Sequence, residues 1–223
     1  MNKLALLTAM ILGGWGGAVF ASSQVQLSFT AEADPPPCHI LQSPTTLDFG
    51  NINRNQLAAK TATQLPVKSF AGGITVQCES ATSIGLRAVD NSGGSTLSIG
   101  NLSWSSPSVN VTPAQTDQRF GLGMTSGGKA IGVWNVLFHS AQVDGVPAQI
   151  GIANNGMLDL NDTAPTMRNN GKAISWVQNS AFALGEFFTV QADAAVALAP
   201  LVDLPSGTKI SFAGSATLEI VYL

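Results

Sequence analysis

Ala216-Thr217-Leu218-Glu219-Ile220-Val221-Tyr222-Leu223 closes the chain, and its alternation decides the fold. Successive side chains of a strand point to opposite faces, so a period of two sorts residues onto two surfaces. Ala216, Leu218, Ile220 and Tyr222 fall on one face; Thr217, Glu219, Val221 and Leu223 fall on the other. A second segment with the same period lies near the other end, Val25-Gln26-Leu27-Ser28-Phe29-Thr30-Ala31. There Val25, Leu27, Phe29 and Ala31 share an apolar face, while Gln26, Ser28, Thr30 and Glu32 share a polar one.

Between these segments the chain reads as β throughout. Short apolar or alternating runs are separated by Gly, Pro, Asn and Ser clusters, the pattern of an antiparallel sandwich or barrel. The runs predict strands over residues 47–52, 73–78, 84–90, 119–124, 130–138, 173–178, 187–198 and 210–223. Ser126-Gly127-Gly128 reads as a hairpin turn, because glycine takes positive φ at little cost. Helix-friendly composition is confined to residues 192–198, whose lead-in Phe187-Phe188-Thr189-Val190 favours strand. Residues 91–118 and 154–171 are polar and turn-rich and read as surface excursions.

The chain opens with Met1-Asn2-Lys3, then an uncharged Leu/Gly/Ala-rich run from Leu4 to Phe20, and small residues at Val19 and Ala21 before Ser22. This is the grammar of a signal peptide cleaved after Ala21. The predicted layout is a signal peptide over 1–21, an N-terminal arm over 22–37 and one sandwich domain over 38–223. Only 10% of residues are charged and the formal net charge is −3, so the basic patch that phosphate binding needs is missing and nucleic acid is excluded as a partner. Two cysteines in an exported chain most simply form one disulfide, Cys38–Cys78.

No pattern in the chain points to catalysis or a cofactor. His39 and His139 are far apart, and neither lies beside a nucleophile–base pair in the way acid–base chemistry needs. Gly121-Leu122-Gly123-Met124 opens no helix, so it is no dinucleotide fingerprint. Asp159, Asn161 and Asp162 share one loop but lack the spacing of a calcium loop. Trp134 and Trp176 lie in strand patterns and belong to the core, whereas Trp104, in Leu102-Ser103-Trp104-Ser105-Ser106, is the candidate exposed aromatic.

Asp34-Pro35-Pro36-Pro37-Cys38 follows the alternating arm; then come Leu47-Asp48-Phe49-Gly50, Ile74-Thr75-Val76-Gln77-Cys78 and the terminal Ile220-Val221-Tyr222-Leu223. In this order the motifs resemble the chaperone–usher pilins of Gram-negative bacteria. Arg119-Phe120-Gly121-Leu122-Gly123 and Lys129-Ala130-Ile131-Gly132 look closer to the GltF-type, pilin-like branch, whose function is poorly defined. The resemblance implies an immunoglobulin-like antiparallel sandwich that lacks its final strand. It implies a donor strand whose inward residues are Val25, Leu27, Phe29 and Ala31. It further implies a C-terminal chaperone and assembly edge at Leu218, Ile220, Tyr222 and Leu223. The implied partners are a periplasmic chaperone, an outer-membrane usher and other pilin subunits joined by strand exchange. The implied location is the periplasm and then a fimbrium on the cell surface. The alternatives are an adhesin-like module binding host glycans, or a free periplasmic protein that fills its own groove.

Overall fold

The computed structural model describes residues 34–43, 46–95, 102–207 and 209–223. The segment read as a signal peptide and the arm residues Val25, Leu27, Phe29 and Ala31 lie outside the described residues. From Pro35 to Leu223 the chain is all-β, as its alternation and turns predict. The longer strands are β1 (Cys38–Gln42), β2 (Ile74–Thr82), β3 (Ile84–Asp90), β4 (Gly132–Val143), β5 (Gln149–Asn154), β6 (Ala173–Gln178), β7 (Gly185–Leu198) and β8 (Ala216–Tyr222). All pairings are antiparallel.

One sheet has the order β1-β2-β7-β4, closed on the far side by Val146–Pro147. The short strands Thr63–Gln64 and Lys68–Ser69 continue the ladder along the C-terminal half of β7, where β2 has ended. The second sheet runs Met157–Leu158, β5, β6, β3, β8. Ile74, Val76, Phe188 and Val190 from the first sheet meet Ile84, Leu86, Ile152, Ile174 and Trp176 from the second in a buried core. Trp176 ties the two layers: its ring packs edge-on to Phe188 at 5.2 Å, and its indole N–H donates to the Thr189 carbonyl at 2.8 Å. Complete burial of such rings is worth about 1.5–3 kcal/mol each.

β4 is longer than its alternation suggests, because the alternation changes phase. Trp134, Val136 and Phe138 face the core, but so do Ala141 and Val143. Two residues, Ser140 and Ala141, oppose the single Val190 of β7 here, and Ser140 has φ 53°. This β-bulge adds one residue and flips the side-chain parity. A reading by strict period two therefore stops at Phe138.

Several expectations need correction. Residues 47–52 form no strand: the Gly50 N–H donates to Asp48 Oδ1 at 2.7 Å and Gly50 has φ 70°, so the chain turns instead of extending. Residues 119–124 pair only through Phe120–Gly121 and a bridge from Met124 to Ala130. The terminal strand begins at Ala216, not at 210. The β1 and β5 strands had no counterpart in the sequence reading, whereas residues 187–198 are strand as expected. The turn at Ser126-Gly127-Gly128 is present: the Gly128 N–H donates to the Thr125 carbonyl at 2.9 Å, with Gly128 at φ 73°.

The two excursions are not simply solvated. Leu102, Trp104, Val109, Val111 and Ala114 form a second buried cluster on Val133, Leu137, Ala195 and Ala197, the outward residues of β4 and β7. Trp104 is 1% exposed and its N–H donates to the Gln118 carbonyl at 3.0 Å, which overturns its reading as an exposed aromatic. Asn135 joins both excursions to β4. Its amide donates to the carbonyls of Gln118 at 2.6 Å and Met167 at 3.1 Å, and its oxygen accepts from the Met167 N–H at 3.0 Å.

Candidate functional site

β1 and β8 are the outer strands of different sheets, and an open groove lies between them. Its volume is about 800 Å³. The floor is the inward face of the first sheet: Ala192, Ala194, Val196 and Leu198 of β7, with Trp134 and Val136 of β4. Ile40 of β1 and Ile74 of β2 bound one side; Ala216 and Leu218 of β8 bound the other. Loop residues Phe49, Ile52, Ile210 and Phe212 close the far end around Leu198. At Gly214 the backbone crosses Trp134 so closely that a Cβ would lie 2.3 Å from its indole nitrogen.

The rims of this groove carry main-chain groups that no described strand takes up. The Asn91 N–H donates to the Ser215 carbonyl and the Leu223 N–H to the Ser83 carbonyl, each at 3.0 Å. Residues 215, 217, 219, 221 and 223 therefore turn their polar backbone toward β3. Ala216, Leu218, Ile220 and Tyr222 turn theirs to the free edge, where no strand pairs among the described residues. On β1 the same parity holds: the Glu79 N–H donates to the Pro37 carbonyl at 3.0 Å, so Cys38 and Ile40 present theirs outward. Unpaired edge groups of this kind are a template for another strand.

The four predicted edge residues have different situations. Leu218 lines the groove and Ile220 packs half-buried against the core. Tyr222 is 42% exposed and its hydroxyl donates to the Pro36 carbonyl at 2.9 Å. Leu223 is half-buried and held by its own N–H. On the opposite face of β8, Glu219 accepts from Arg87 of β3 at 2.7 Å. Cys38 and Cys78 are disulfide-bonded, which fastens β1 to β2.

The remaining polar clusters serve the fold. His39 is exposed. His139 Nε2 lies 3.4 Å from Asp193, whose carboxylate also accepts from the Ser69 hydroxyl at 2.7 Å. Burial pushes the Asp193 carboxyl up, but hydrogen bonds from Ser69 and Ser106 and the nearby His139 outweigh it and hold it below its ordinary value. In the second excursion the Arg168 guanidinium, 1% exposed, reaches Asp162 and Asp117, and Lys172 Nζ lies 3.0 Å from Asp159 and 3.2 Å from Asp162. Both loop carboxylates thus have cationic partners, and no group of three or more His, Cys, Asp or Glu among the described residues could hold a metal ion. Among those residues no helix is long and apolar enough to cross a membrane.

Alternation made the β8 edge legible in sequence. The groove itself was not, because its floor includes Ala192 and Ala194 of β7, which as letters look like the outward Ala195 and Ala197. Two comparisons with known proteins bear on the chain. A family described as a protein of unknown function (DUF1120) matches residues 29–135, a span that includes both cysteines. The uncharacterized protein YhcF of Escherichia coli (strain K12) is 28% identical over 260 aligned positions that cover all of both chains.

Proposed function

We propose that the chain is a pilin-like structural subunit of a fimbrium, an immunoglobulin-like sandwich that lacks its final strand. A periplasmic chaperone first covers the groove, and the N-terminal arm of a neighbouring subunit then replaces it at an outer-membrane usher. The observation that supports this most is the apolar groove between two free strand edges, with half-buried Ala216 and Leu218 on its wall. Strand addition supplies main-chain hydrogen bonds to such an edge and side chains to its pockets. The arm suits that role: Val25, Leu27, Phe29 and Ala31 recur at the spacing that puts every second side chain inward. The burial of Trp104 removes the exposed ring on which a glycan-binding reading leaned.

Co-expression with a candidate periplasmic chaperone tests the proposal. The expected result is a complex from which a synthetic peptide of residues 22–33 displaces the chaperone on a native gel. Leu27→Asp or Phe29→Asp in the peptide abolishes displacement, because a carboxylate enters an apolar groove without a partner; Gln26→Ala or Ser28→Ala does not. A chain that binds no chaperone, together with an arm deletion that unfolds the isolated body, would indicate a self-contained domain and end the assembly reading.

A further inference from the structure

We infer that Ser140, His139 and Asp193 form a nucleophile–base–carboxylate relay that transfers the acyl group of small, uncharged esters through the Ser140 hydroxyl. The site lies on the outward face of the first sheet, and the inference is independent of the groove and of the strand-acceptor reading. In sequence Ser140 is merely the residue after His139. The β-bulge in β4 changes that. Ser140 takes φ 53°, and its hydroxyl turns back onto the ring, with Oγ 3.0 Å from His139 Nδ1. A non-glycine residue in the left-handed region is strained, and such strain gathers where a side chain must be aimed. Bulges re-aim side chains next to active sites in the same way.

The ring's other nitrogen sets the chemistry. His139 Nε2 faces the Asp193 carboxylate of β7 at 3.4 Å, a long contact of the kind resting catalytic groups often show. Asp193 is 2% exposed, and besides bracing the fold it orients the ring. The Ser69 hydroxyl donates to its Oδ1 at 2.7 Å. Burial pushes the carboxyl up, but Ser69, Ser106 and His139 outweigh it and keep the group ionised at neutral pH. An ionised carboxylate only accepts, so the facing Nε2 carries the ring's proton. Nδ1 of the neutral ring then holds a lone pair, and the Ser140 hydroxyl donates to it. A base thus placed on a hydroxyl, and held in turn by a third group, is how a weak serine nucleophile is activated.

As Ser140 Oγ bonds to the ester carbonyl carbon, its proton passes to Nδ1, and the positive ring faces Asp193. The ester C–O bond then breaks, and the departing oxygen takes the proton from Nδ1. Water completes the cycle. It gives a proton to Nδ1 and attacks the acyl carbon, and Ser140 Oγ leaves with that proton. Gln191, paired with His139 across the sheet, and Gln142, two positions beyond Ser140, are exposed on this face and offer amide N–H groups to the carbonyl oxygen. Half-buried Thr189 pairs with Gln142. These neighbours are polar and uncharged, which suits a short neutral acyl group.

The test treats the purified protein with two reagents. A fluorophosphonate labels base-activated serines and spares ordinary ones, and peptide mapping should place the adduct on Ser140. p-Nitrophenyl acetate should be hydrolysed, and Ser140→Gly and His139→Gln should each slow this by about 100-fold or more, the size of a lost general base. Glycine accepts positive φ, so Ser140→Gly keeps the bulge and the fold. Asp193 is a positioning residue that does not touch the ester. Nitrogen-15 NMR of the neutral His139 ring should find the proton on Nε2 in wild type and shared between both nitrogens in Asp193→Asn, a change that a merely structural role would not produce. An unlabelled Ser140 overturns the inference, and so does hydrolysis that Ser140→Gly leaves unchanged. A wild-type ring with its proton on Nδ1 overturns it as well.

Discussion

The Tyr222 hydroxyl donates to the Pro36 carbonyl at 2.9 Å, joining the last strand of one sheet to the residue pair that precedes the first strand of the other. This contact ties the C-terminal end of β8 to the segment that leads into β1. Tyr222→Phe keeps the ring and removes the bond, at a cost of about 1 kcal/mol. Hydrogen exchange should quicken at the His39, Glu79 and Leu223 amides, which face a paired strand, and stay unchanged at Phe188. Uniform exchange across all four would show that the contact holds nothing.

Trp104 anchors the outer layer on β4 and β7. Trp104→Ala should cost about 3–5 kcal/mol, since it deletes a fully buried ring and the surrounding sheet cannot collapse to fill it. Trp104→Phe should cost less, because it keeps much of the packing while leaving the Gln118 carbonyl with only its Asn135 donor. Urea unfolding curves of the two variants check both the order and the size.

The carboxylates around Arg168 and Lys172 make stability depend on pH. Burial pushes the Asp162 carboxyl up, but Arg168 and then Lys172 outweigh it and hold it below its ordinary value; the Lys172 hydrogen bond lowers Asp159. A depressed carboxyl adds stability above its unfolded pKa of about 3.9 and loses it as pH falls through the folded value. The urea midpoint should therefore be level from pH 7 to about 5 and drop below about 4. Asp162→Asn should flatten that drop. Arg168→Met leaves Asp162 half-paired in a buried setting and should cost about 3 kcal/mol at pH 7.

Replacing both cysteines with alanine removes the fastening of β1. The cysteines are 40 positions apart, and the chain-entropy description gives a loop of that length about 4 kcal/mol. Four of the five β1 residues are exposed, so little else holds the strand. Limited proteolysis should cut first between Pro37 and Ser43 in the double variant, and mass spectrometry of the fragments locates the cut.

What could be read in sequence was local. The strand β6 stands out because its apolar run meets Asn-containing turns on both sides, and the disulfide follows from the cysteine count of a chain read as exported. What escaped depended on distant partners. Leu47, Phe49 and Ile52 look like a strand, yet Asp48 caps a turn at Gly50 and the side chains become groove wall. Trp104 sits among serines, and only the outward Val133, Leu137, Ala195 and Ala197 show why it is buried. Ala194 and Ala195 are indistinguishable as letters, though one floors the groove and the other lies under Trp104's layer.

The crossing of Gly214 over Trp134 gives the groove its own optical reporter. Trp104 and Trp176 are each 1% exposed and emit from fixed, dry surroundings. Trp15 lies in the segment expected to be a signal peptide, outside the described residues. Trp134 alone among the described tryptophans is half-buried, and it lies in the groove floor. Displacing water from that ring shifts its emission to shorter wavelength, while a quencher such as acrylamide reaches it only when the floor is bare. Occupancy can thus be followed in unlabelled protein, in real time, from the colour of a single indole.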